Sequence, residues 1–149
     1  MKTVFLDFDG VLHPEFCHES KHFCCLPILE HVLREVRDLD VVVTSTWRLH
    51  VPLVDLRSHF SPDIALRLVG VTNQLSQLKD VPEPLIGYPR EAECHAWLRA
   101  HDRIVFPWLA IDDRPWLYRP FNRSLFLVDG KTGLTQAMAE ELVERLQRL

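Results

Sequence analysis

The stretch Val4-Phe5-Leu6-Asp7-Phe8-Asp9-Gly10 begins apolar and turns abruptly acidic. Three consecutive apolar residues cut off by acids and a glycine make the pattern of a short buried strand that ends in a turn. Because its apolar residues are continuous rather than alternating, such a strand belongs inside a parallel sheet covered on both faces. Asp7 and Asp9 are two apart, so extended backbone aims both carboxylates to one side, and Gly10 permits the sharp turn that follows. Two carboxylates held so close repel each other unless a cation joins them.

Outward from this strand, apolar residues at Leu26, Leu29, Val32, Leu33 and Val36 keep a helical period, with Pro27 suited to a first turn. Val41-Val42-Val43-Thr44-Ser45 is short and β-branched, a second buried strand. A helix is expected over 51–60, a strand over 66–71, and a loop over 72–89, where Pro82, Pro84, Gly87 and Pro89 cluster. Arg90 to His101 carries Cys94, Trp97 and Leu98 at helical spacing. Trp108-Leu109-Ala110-Ile111 then runs straight into Asp112-Asp113. Leu125 to Val128 forms a fifth strand, and Met138, Leu142, Val143 and Leu146 mark a closing amphipathic helix. The alternation predicts an α/β fold, a mostly parallel five-stranded sheet with helices on both faces, in one domain over 1–149.

Composition agrees. A chain of 149 residues with 47% apolar and 26% charged content can bury a real core, which excludes a disordered chain, a collagen-like repeat and a disulfide mini-protein. The formal charge of −4, from 21 acidic against 17 basic residues, weighs against a general electrostatic grip on nucleic acid but leaves a local basic groove open. Cys17, Cys24, Cys25 and Cys94 do not form a secreted disulfide framework. No export signal and no apolar run of roughly 18 residues is seen, so a cytoplasmic protein without a membrane span is expected. Cys17, His18, His22, Cys24 and Cys25 lack the paired spacing of a zinc site. Gly130-Lys131-Thr132 imitates the end of a P-loop, but Leu125 stands where the first glycine is required.

In an open parallel sheet, ligands bind outside the carboxyl ends of the strands, where strand order reverses. Three strands end in polar residues at that edge: Asp7 and Asp9, Thr44 and Ser45, Asp112 and Asp113. The four carboxylates make an oxygen-rich set of the kind Mg²⁺ prefers. The plainer alternatives are a polar turn, a helix cap at Asp112-Asp113 and an ordinary strand threonine at Thr44.

Val4 to Leu12 resembles the first motif of the haloacid dehalogenase (HAD) superfamily, an apolar strand followed by Asp-x-Asp-Gly. Val41 to Thr44 resembles the second motif and Leu109 to Asp113 the fourth, in the right order. His13-Pro14, Thr44-Ser45-Thr46-Trp47-Arg48 and Asp112-Asp113-Arg114 are most similar to the small HAD domains associated with RNA-repair proteins. The Asp-Asp-Arg ending is also similar to that of polynucleotide 3′-phosphatase domains. The resemblance implies a three-layer Rossmann-like core; the short spacings from Asp9 to Thr44 and from Thr44 to Arg90 leave no room for the cap domain many such enzymes carry, which implies an open site suited to a large substrate. It implies Asp7 as nucleophile and Asp9 as general acid and base. Mg²⁺ would be held by Asp7, the Asp9 backbone carbonyl and Asp112, with Asp113 a further ligand or its partner. Thr44 would bind a phosphoryl oxygen, or Ser45 if the register is shifted by one. Arg90 is preferred to Lys79 as the third-motif cation, although HAD proteins more often use lysine there. The stretch after the first motif would form a flap, where His13, His18 or His22 could reach substrate.

Arg48 and Arg114 flank the predicted site and are expected either to bind phosphate or to form salt bridges. Trp47 and Trp116 are expected either to stack on a base or to pack at the rim. The expectation is therefore a Mg²⁺-dependent phosphomonoesterase working through an aspartyl-phosphate, with nucleic-acid 3′-phosphate ends as the leading substrate. The alternatives are a small-metabolite or phosphoprotein phosphatase, and a non-catalytic HAD module that binds a phosphorylated partner.

Overall fold

Strand β1 (Lys2–Leu6) lies at the centre of a five-stranded sheet in the computed structural model, which describes residues 1–149. Its neighbours are β2 (Leu39–Val43) and β4 (Trp108–Asp112), with β3 (Leu68–Val71) and β5 (Leu125–Leu127) at the edges. The order is β3-β2-β1-β4-β5, and every pairing is parallel. The chain builds outward from β1 to β3, then crosses back to add β4 on the other side. Strand order therefore reverses between β1 and β4, and the crevice outside their carboxyl ends is the place for a ligand.

The continuous apolar runs are explained by burial on both faces. Val4 and Leu6, Val41 and Val43, and Leu109 and Ile111 point into the larger core, under α1 (Leu26–Glu35) and α5 (Gln136–Gln147). The intervening Phe5, Val42 and Ala110 point the other way, against Cys94, Trp97 and Leu98 of α4 (Pro89–Ala100). The period-two alternation of a strand divides each apolar run between the two layers. No helix is long and apolar enough to cross a membrane.

The expected helix over 51–60 shrinks to one turn, with separate turns on either side of the expected span. A 3₁₀ turn covers Thr46–Leu49, then α2 (Leu53–Arg57) and α3 (Pro62–Ala65) follow as single turns. Pro52 and Pro62 explain the breaks, since each lacks the N–H needed inside a helix and each sits where a new turn starts. The expected loop over 72–89 contains two 3₁₀ turns, Leu75–Gln77 and Glu83–Leu85, and β3 is shorter than expected at its start.

Candidate active site

The three polar strand ends meet. Beyond β1, the Asp7 N–H donates to Ile111 O of β4 at 3.1 Å; beyond β2, the Thr44 N–H donates to Leu6 O at 2.9 Å. These bonds carry the sheet register past the last strand residues and bring Asp7, Thr44 and Asp112 side by side. Oxygens of Asp7, Asp112 and Asp113 lie within 4.8 Å of one another. Gly10, at φ 83, and Gly130 close around Asp113: a Cβ at either would displace its carboxylate, and the left-handed φ at Gly10 favours glycine as well.

This trio is electrostatically strained. Burial pushes the Asp7 carboxyl well above its ordinary range, the Asp112 and Asp113 charges add to the rise, and Arg90 opposes it. Burial also raises Asp113, to about 6. Asp7 and Asp113 are close enough to share a proton. Asp112 is fully buried and better satisfied: Oδ1 accepts the Arg114 N–H at 3.0 Å and Oδ2 accepts the Tyr118 hydroxyl at 3.1 Å. Asp113 Oδ1 is buried with no partner. Three hard oxygens converging at this distance, two of them held against their own charge and one orphaned, fit a divalent cation.

Asp9 has the opposite environment. Its carboxylate is outside the trio, 43% exposed, and accepts the His13 Nε2–H at 2.6 Å and the Trp47 Nε1–H at 3.1 Å. The His13 bond, helped by Trp47, lowers its pKa. His13 is buried, and its Nδ1 accepts the Phe23 N–H at 3.2 Å, so the ring proton is on Nε2 and points at Asp9. With both nitrogens engaged, His13 has no lone pair for a metal, although Cys17 and His22 stand beside it. The aromatic ring of Trp47 packs among Phe8, Phe23 and His22. These two clamps on Asp9 were not anticipated in that role. His13 stands four residues after Asp9, but only the closed turn, in which the Gly10 N–H donates to His13 O at 2.9 Å, brings the ring back.

Thr44 and Ser45 are separated by their hydroxyls. Ser45 Oγ accepts the Trp47 N–H at 3.3 Å and caps the 3₁₀ turn, whereas Thr44 Oγ1 is buried without any partner. Arg90, in the first turn of α4, donates from Nη1 to Thr44 O, and its Nε is buried, unpartnered and 3.9 Å from Asp112 Oδ2. Burial works against its charge, but Asp112, Asp7 and Glu93 outweigh that and raise its pKa. Lys79 lies elsewhere, on a surface hollow with Asp80, His95 and Arg99.

Arg48 makes no hydrogen bond to the trio. Its guanidinium donates to Thr72 O at 2.8 Å, Thr44 O at 2.6 Å, Ser45 O at 3.1 Å and Glu93 Oε2 at 3.1 Å. A buried guanidinium with four of its N–H bonds committed is a clamp on the β2 and β3 ends, not a hand for phosphate. Glu93 sits between it and Arg90, 3.5 Å from Arg90 Nη1. Arg114 bonds Glu15 at 2.9 Å, joining the connection after β4 to the stretch that follows β1. Trp116 is 66% exposed and packs on no core.

Residues 3–139 match the family model described as the HAD domain in Swiss Army Knife RNA repair proteins. Neither a curated protein nor a solved structure matches the chain.

Proposed function

Since the chain belongs to the HAD domain family of Swiss Army Knife RNA repair proteins, we propose that it is a Mg²⁺-dependent phosphomonoesterase acting on phosphorylated RNA ends. The 1–149 chain would work as one capless unit. The observation that carries this reading is the convergence of Asp7, Asp112 and Asp113 at the strand-order reversal, beside the unpartnered Thr44 hydroxyl and Arg90 Nε.

Asp7, Asp112 and Asp113 would hold the cation, together with the Asp9 backbone carbonyl. When bound, Mg²⁺ offsets the repulsion between the Asp7 carboxylate and an anionic phosphoryl group. Asp7 then attacks phosphorus, forming an aspartyl-phosphate as the bond from phosphorus to the leaving oxygen breaks. That oxygen takes its proton from Asp9. In the second step Asp9 accepts a proton from water as the water oxygen attacks phosphorus, and phosphate leaves with Asp7 restored. Thr44 Oγ1, free of other bonds, donates to a phosphoryl oxygen, and Arg90 balances the moving charge. The family's description supplies the substrate class, and the half-exposed Asp9, with no cap over it, suits a large leaving group.

Phosphate release from a 3′-phosphorylated oligoribonucleotide, with Mg²⁺ or with chelator, tests the reading. Release that needs both Mg²⁺ and Asp7 is expected. Faster release from sugar phosphates or phosphopeptides would move the substrate to another class, and no release from any would leave a phosphate-binding module.

A further inference from the structure

The leaving oxygen of the proposed reaction takes its proton from Asp9, so the rest of the leaving group must lie where the Asp9 carboxylate opens. It opens on a cavity of about 180 Å³ whose walls carry Glu15, Phe16, Cys17, His22 and Arg114. The mechanism leaves all five unused.

Two of these side chains offer flat rings. Phe16 is 93% exposed and held at φ 58, a left-handed backbone that a bulky residue adopts only against a steric penalty. The adjacent Glu15 is tied down, its N–H donating to Gly130 O at 2.7 Å and its carboxylate accepting from Arg114. His22 stacks on the buried His13 ring, centroids 4.5 Å apart, and remains half-exposed along the same wall. The place of Phe16 beside Asp9, the proposed proton donor, and not its exposure alone, sets it apart from Phe121, which is no less exposed at φ 61, and offers a face to a planar partner.

Charge narrows the occupant. The cavity carries the Asp9 and Glu15 carboxylates against one guanidinium, and that guanidinium is already bonded to Glu15. A second phosphate or an acidic peptide would be repelled, whereas a neutral heteroaromatic ring would find stacking faces and polar groups for its edge.

We propose that this cavity is a nucleobase subsite, in which the base of the nucleoside bearing the scissile phosphate stacks on Phe16 and His22, with Glu15 and Arg114 at its polar edge. The inference rests on the phosphatase reading above.

The test compares a 3′-phosphorylated oligoribonucleotide with one whose terminal nucleoside lacks its base, using the wild type, Phe16→Ala and Phe16→Trp. The wild type should prefer the base-bearing end. Phe16→Ala should lower kcat/KM for that end about tenfold more than for the abasic end, and Phe16→Trp should keep the preference. Equal turnover of both ends by the wild type, or equal slowing of both by Phe16→Ala, would overturn the subsite while leaving the phosphatase intact. Failure of the underlying reading looks different: neither oligonucleotide would release phosphate whatever residue occupies position 16, and the subsite would fall with it.

Discussion

Asp7 and Asp9 leave the same turn two residues apart, yet their surroundings drive them in opposite directions. Asp7 is buried beside two more carboxylates, and its proton is held more tightly than in water. Asp9 is half-exposed, receives two N–H donors from His13 and Trp47, and holds its proton less tightly. One region is short of positive charge, which the proposed cation would supply. The other is a finished anion cradle. Opposite environments on neighbouring acids are how one fold assigns them different tasks.

The largest test of that contrast is Asp7→Asn. Loss of the proposed nucleophile should cut phosphate release at least about a thousandfold. The same change removes a repelling charge, so thermal unfolding in chelator should shift upward. A variant that lost both activity and cation-free stability would mean that the trio is not strained.

Next is Glu93, the counter-charge that Arg48 and Arg90 share. Glu93→Leu leaves two buried guanidinium groups without it and should cost about 3–5 kcal/mol in urea unfolding. A cost near zero would mean that the backbone carbonyls alone hold Arg48.

A smaller effect separates the two regions by pH. Asp113 has a folded pKa of about 6 against an ordinary 3.8, so the folded state binds its proton more tightly. Its favourable contribution is complete below about pH 4 and is lost as pH rises through 6. In chelator, Asp113→Asn should therefore be more stable than the wild type at pH 7 and no more stable near pH 4. Melting curves at both values check this, and added Mg²⁺ should stabilise only the wild type at pH 7 appreciably.

The smallest expected change is at the cradle. Asp9 rests as a carboxylate, the form that would accept a proton from water in the proposed reaction, whereas the proposed first step would need its protonated form. Activity on an alkyl phosphate should therefore fall as pH rises above its lowered pKa. Trp47→Phe removes one donor from the carboxylate and should move that limb to higher pH by less than about one unit, as a pH profile of kcat/KM would show.

Much of this was legible in the chain because buried parallel strands write continuous apolar runs, and the polar residue that stops each run marks the sheet edge. Asp7, Thr44 and Asp112 could be placed at that edge without coordinates. The choice of Thr44 hydroxyl over Ser45 depended on which one caps the following turn, and adjacent hydroxyls look alike in sequence. Arg48 stays open between phosphate and a salt bridge in the sequence for a similar reason. Its partner Glu93 lies on a helix far along the chain, and an arginine beside a site reads the same whether it faces the ligand or the scaffold. The late start of the helix expected over 51–60 was signalled by Pro52, which caps α2, but the apolar residues from Val51 to Phe60 masked it.

The sequence by itself determined the strand ends and the carboxylates that follow them, because the apolar run of a buried strand and the polar residue that stops it are local properties. Only the tertiary structure decided which acid keeps its proton, which hydroxyl is free and which arginine faces the site. Those properties depend on the field and hydrogen bonds of groups brought from distant parts of the chain, and no local pattern records them.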